Sequence, residues 1–117
     1  MDPKVRYEAA RPCDEVHDMD RKAALKKART FARLAQKVVP AGDAYLFGSH
    51  AAGTASDDSD LDVAILVPTL RRDYLGTLTR LYRLRAEVDL RIEPHLIVQD
   101  SDPQGFSGEI LRTGIRL

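Results

Sequence analysis

Between Leu25 and Val39 the apolar positions Leu25, Ala28, Phe31, Ala32, Ala35, Val38 and Val39 recur at helical spacing. The opposite face carries Arg21, Lys22, Lys26, Arg29, Arg33 and Lys37. This pattern predicts an amphipathic helix capped by Asp18 or Asp20 and ended by Pro40, with Ala41 and Gly42 forming the turn out of it. Residues 1–19 combine Pro3, Pro12 and scattered charges without a sustained period, so they are expected to form a mobile arm before a domain spanning 20–117.

Residues 44–48 predict a first strand rich in aromatic and aliphatic side chains. A polar, glycine-containing loop follows over 50–59, and residues 61–67 (LDVAILV) form a near-continuous apolar run. Such a run suits a central strand covered on both sides. Pro68 ends it. Leu75, Leu78, Leu81 and Tyr82 restore the helical period over 71–85.

Residues 87–93 (EVDLRIE) alternate, with Val88, Leu90 and Ile92 on one side and Glu87, Asp89, Arg91 and Glu93 on the other, predicting a third strand with an acidic face. Pro94 and His95 would break it, leaving 96–98 as an edge segment. A short helix over 106–113, Gly114 as its stop and a closing tail complete the chain. The expected fold class is α/β (α+β), a small mixed sheet of three to four strands backed by two long helices.

The candidate chemistry lies at the mouth of the second strand. In an extended SDLD segment, Asp60 and Asp62 project from one face with Cα atoms about 7 Å apart. Adjacent carboxylates repel, and a cation offsets their charge best. Hard oxygen ligands suit Mg2+ or Mn2+ better than Zn2+. Gly48 and Ser49 follow an apolar strand, where a glycine permits a tight turn and the next amides can face a phosphate. Ser59, at the end of the 50–59 loop, is expected to cap or brace its turn through a local hydrogen bond.

The segment GSHAAG followed by SDLDVAILV resembles the GSxAxG and SDxDxxV signature of the minimal nucleotidyltransferases, within the polymerase-beta-like superfamily. The resemblance runs from about Leu25 to the C-terminus. It implies the polymerase-beta-like nucleotidyltransferase fold and transfer of NMP, with AMP the first choice, from a nucleoside triphosphate such as ATP to an acceptor hydroxyl. It also implies two Mg2+ (or Mn2+) ions on Asp60, Asp62 and a third carboxylate, with Gly48, Ser49 and Ser59 around the nucleotide. Asp89, in VDL, is the first choice for the third acid, and Glu93, in IEPH, is the alternative.

The family pattern has arginine at the two variable positions of its first motif. This chain has His50 and Ala52 there, which leaves two cationic contacts to a triphosphate weakened or absent. Relatives often work beside a separately encoded helical partner, as the antitoxin of a toxin–antitoxin pair. The competing expectation is therefore a non-catalytic protein that keeps the fold and masks such a partner.

With 117 residues, the chain has room for one compact domain. Eighteen Lys and Arg balance eighteen Asp and Glu, which gives no indication of a nucleic-acid partner; the basic helix face is taken as ordinary solvation. Cys13 is the single cysteine, so no disulfide and no paired-thiolate zinc site can form within the chain, and neither His50 nor His95 has a His or Cys partner at metal-ligand spacing. Asp57 and Asp58 are assigned to a solvated loop. No signal sequence or membrane-length apolar run is present, so a cytoplasmic protein is expected. A homo-oligomer is left open.

Overall fold

The computed structural model describes the backbone of residues 13–56 and 59–117, and side chains from residue 21 onward within that range. Residues 1–12 of the expected arm and the loop residues Asp57 and Asp58 lie outside the described residues, as does the side chain of Cys13. The elements are α1 (Cys13–Val38), β1 (Asp43–Phe47), α2 (Ser49–Ala52), β2 (Leu61–Val67), α3 (Tyr74–Leu84), β3 (Ile92–Val98), α4 (Phe106–Thr113) and β4 (Ile115–Arg116). The sheet order is β3-β2-β1-β4, with β2 and β3 parallel and the other pairs antiparallel.

The stripe Ala24, Ala28, Phe31, Ala35 and Val38 buries α1 against the sheet. Three alanines allow the helix axis close to the strands, and the fully buried Phe31 fills the remaining depth. Leu81 of α3 joins this layer, over Leu46, Leu61, Val63, Ile65, Val67, Ile92 and Leu96. Asp73 caps α3, its Oδ2 accepting the Gly76 amide at 2.8 Å. On the other face Ile110 of α4 packs with Tyr45, Ala64 and Leu66. One face of the sheet is thus closed by two helices, and the other is covered by the short α4.

Helix α1 starts earlier than the expected cap. Asp18 and Asp20 lie inside it rather than at its start. Beyond Pro12 the sequence holds no proline or glycine before Pro40 to interrupt a helix.

The third strand is also displaced. It runs through Pro94 and His95 instead of ending before them, and Asp89 lies in the turn that precedes it. Asp89 N donates to Arg85 O at 2.8 Å, and Asp89 Oδ1 accepts the Arg91 amide at 2.8 Å, so a local turn wins over the alternating pattern. Leu90, expected to face the core, is 69% exposed. Pro94 is tolerated because β3 is an edge strand.

The closing tail becomes β4, pairing Ile115 with Leu46 and Arg116 with Tyr45. Gly114 makes this return feasible, since a Cβ there would sit 2.7 Å from Ile110 O and 3.2 Å from Leu46 O.

Candidate active site

The strand register builds the site. Phe47 of β1, Asp62 of β2 and Glu93 of β3 lie side by side across the sheet. Leu61 and Val63 enter the core under α1, so by alternation Asp62 emerges on the opposite face. Glu93 and His95, two residues apart on β3, share that face. One ligand atom from each of Asp62, Glu93 and His95 lies within 4.8 Å of the others. All three side chains are half-buried. His95 Nε2 is 3.2 Å from Asp62 Oδ1, and the imidazole stands edge-to-face with Phe47 at 4.9 Å between centroids. Phe47 meets Phe106 in the same manner at 5.6 Å.

Gly48 is required twice over. Its φ of 75° lies in the region that side chains avoid, and a Cβ there would lie 2.5 Å from Asp62 Oδ2. The turn therefore leaves the space that the Asp62 carboxylate occupies. Ser49 opens α2, and Gly53 closes it with φ 81° while its amide donates to Ser49 O.

His50 points inward rather than toward a ligand. It is 6% exposed, with Nε2 3.4 Å from Ser59 O. Ser59 Oγ accepts the Ser56 amide at 2.9 Å, which is the local brace expected of it.

Asp60 and Asp89 do not join Asp62 here. Asp60 is exposed and precedes the first residue of β2, outside the group formed by Asp62, Glu93 and His95. Asp89 is bound elsewhere: Lys27 Nζ on α1 donates to Oδ2 at 2.7 Å, and Arg91 Nε and Nη2 donate to Oδ1 and Oδ2 at 3.2 and 3.1 Å. Hydrogen bonds from the Arg91 side chain hold its carboxyl well below the usual carboxylate range; burial opposes this and the Lys27 ammonium adds to it. Such a carboxylate ties the turn before β3 to α1. The strand expected over 87–93 placed Asp89 on the acidic face, and the displacement of β3 leaves Glu93 in that position instead.

His95 is not legible as a ligand in the sequence, where no other His or Cys lies at ligand spacing from it. The signal was present in E-P-H: were β3 drawn through the proline, Glu93 and His95 would fall on one face, level with Asp62 and Ala64.

The set of two carboxylates and an imidazole on one rigid parallel strand pair fits a divalent cation, which offsets the repulsion between Asp62 and Glu93. No helix among the described residues is long and apolar enough to cross a membrane. A family model described as "Polymerase beta, Nucleotidyltransferase" matches residues 30–117, from the second half of α1 through every later element. A search of curated proteins found no match to the chain.

Proposed function

The chain belongs to the polymerase beta nucleotidyltransferase family, and on that premise we propose that it transfers NMP, with AMP the first choice, from a nucleoside triphosphate to an acceptor hydroxyl. The observation that carries this reading is the approach of Asp62 to Glu93 across the parallel pair, beside the glycine turn at 48. In this reading Asp62 and Glu93 hold a divalent ion, and Asp60, exposed at the mouth of β2, is a further carboxylate for the triphosphate side. Glu93 thus takes the role for which Asp89 was the first choice, since the charge of Asp89 is already spent on Lys27 and Arg91.

Bound there, a divalent ion stabilises charge on the phosphoryl oxygens and lowers the pKa of the attacking hydroxyl. The acceptor oxygen forms a bond to the α-phosphorus as its hydroxyl proton passes to water, the bond from the α-phosphorus to the bridging oxygen breaks, and pyrophosphate leaves with that electron pair. The chain positions the reactants: Gly48 keeps the wall beside Asp62 open, and Ser49 and Ser59 border the phosphates. The acceptor is proposed to be a hydroxyl on a protein partner, in keeping with relatives that act on a separately encoded helical toxin.

A second reading, a protein that masks its partner without catalysis, is favoured by one observation. His50 is buried and Ala52 is apolar, so the two variable positions of the first motif offer the triphosphate no cation. Incubation with α-labelled ATP, Mg2+ or Mn2+ and the product of the adjacent gene separates the two readings. Label on an acceptor, absent with Asp62→Asn, supports transfer. A tight complex with the partner and no transferred label supports masking.

A further inference from the structure

The transfer reading leaves the imidazole of His95 without a role, although it faces the same space as Asp62 and Glu93. We propose that His95 Nε2 is a direct ligand of the ion held there, and that it turns the centre toward a first-row transition metal, Mn2+, at the expense of Mg2+. This inference rests on the metal-dependent reading above and deepens it.

The distances support direct ligation. In octahedral coordination with bonds of about 2.1 Å, neighbouring ligand atoms lie about 3 Å apart and opposite ones about 4.2 Å. His95 Nε2 and Asp62 Oδ1 are 3.2 Å apart. The atoms of all three residues fall within 4.8 Å. The spacing is therefore already close to that of ligands sharing one ion.

The fold also fixes the imidazole in place. Pro94 restricts the backbone between Glu93 and His95, and the edge-to-face contact with Phe47 holds the ring from the side. His95 lies level with Ala64, whose small, fully buried side chain leaves room beside Asp62.

Ligand chemistry then sets the preference. Mg2+ is a hard ion that favours oxygen and gives up its water reluctantly, whereas imidazole is a ligand of transition metals. Among those, Mn2+ best matches the two carboxylates that complete the set. The alternative role for His95 is to orient Asp62 by a hydrogen bond. Losing an orienting partner weakens both ions alike; losing a ligand nitrogen weakens Mn2+ selectively.

The test compares the 117-residue chain with its His95→Gln, His95→Ala and Asp62→Asn variants. Mn2+ affinity is followed by the electron paramagnetic resonance signal of free Mn2+, and Mg2+ affinity by competition. Pulsed resonance on bound Mn2+ reports a coordinated nitrogen directly, in the unmodified chain. We expect nitrogen modulation in that chain and its loss in His95→Gln, with the Mn2+ to Mg2+ affinity ratio falling about tenfold. Asp62→Asn should weaken both ions.

Wild-type binding of both ions without nitrogen modulation overturns the inference and leaves the transfer reading standing. Equal weakening of both ions in His95→Gln and His95→Ala does the same, assigning His95 to orientation. If the wild-type chain binds neither ion, the metal-dependent reading fails and the inference fails with it.

Discussion

Asp89 and Glu93 stand four residues apart in one stretch of chain, yet the fold gives them opposite surroundings. Asp89 sits in the turn before β3, with an ammonium on one oxygen and a guanidinium across both. Glu93 lies on β3 beside Asp62, with which it shares the sheet register. A carboxylate already matched by fixed cations has little charge left to offer a ligand. One placed against another carboxylate has charge that must be met from outside. The first arrangement holds the molecule together, and the second is suited to binding.

Substitutions on the two sides should separate activity from stability. The largest effect is expected for Asp62→Asn, which removes a ligand charge at a half-buried edge. Partners one shell out are worth about tenfold to a hundredfold. A direct ligand should therefore exceed about a hundredfold in labelled-nucleotide transfer, while thermal unfolding stays within about 1 kcal/mol of wild type. Normal turnover in this variant would remove Asp62 from the mechanism.

Gly48→Ala should follow, because it acts on the site through the backbone. The methyl group meets Asp62 Oδ2, and φ of 75° strains any side chain. About 1–3 kcal/mol of stability should be lost, together with metal affinity. A variant that unfolds like wild type and binds metal normally would show that the close approach has no consequence.

On the structural side, Asp89→Asn weakens charge-assisted bonds from Lys27 and Arg91 and should cost about 2 kcal/mol in chemical denaturation. Transfer per folded molecule should be unchanged. A selective loss of turnover would return Asp89 to the site.

The smallest effect is in the acid response. Asp89 has a depressed carboxyl pKa in the folded chain, and so does Asp102, which accepts the amides of Ser107 and Phe106 at the start of α4. The unfolded chain takes up these protons near the ordinary value of about 4. Their stabilising contribution is therefore complete above that pH and is lost as pH falls through it toward the folded values. Urea midpoints should drop between pH 6 and pH 3, and the drop should be smaller in Asp89→Asn. An equal drop in both proteins would deny Asp89 its share.

The legibility of the chain divides along the same line. LDVAILV, walled by Pro68 and buried on both faces, gave the bounds of β2 directly, because a long apolar run with one breaker permits few alternatives. Helix α4 was equally plain. The EVDLRIE segment misled because alternation is a local signal, whereas the Arg91 amide and guanidinium drew Asp89 into a turn. A proline counted as a strand breaker proved compatible with an edge strand. Whether β3 would be at the edge depended on pairings that no local pattern contains. The same displacement concealed His95, and it decided which acid stands beside Asp62.

Metal titration by calorimetry on Glu93→Gln and Asp89→Asn bears most directly on the central claim, that the ion is held across β2 and β3 by Asp62 and Glu93. The account expects Glu93→Gln to lose Mn2+ and Mg2+ affinity while Asp89→Asn binds both as the wild-type chain does. Unchanged binding by Glu93→Gln, with affinity lost in Asp89→Asn, would contradict it.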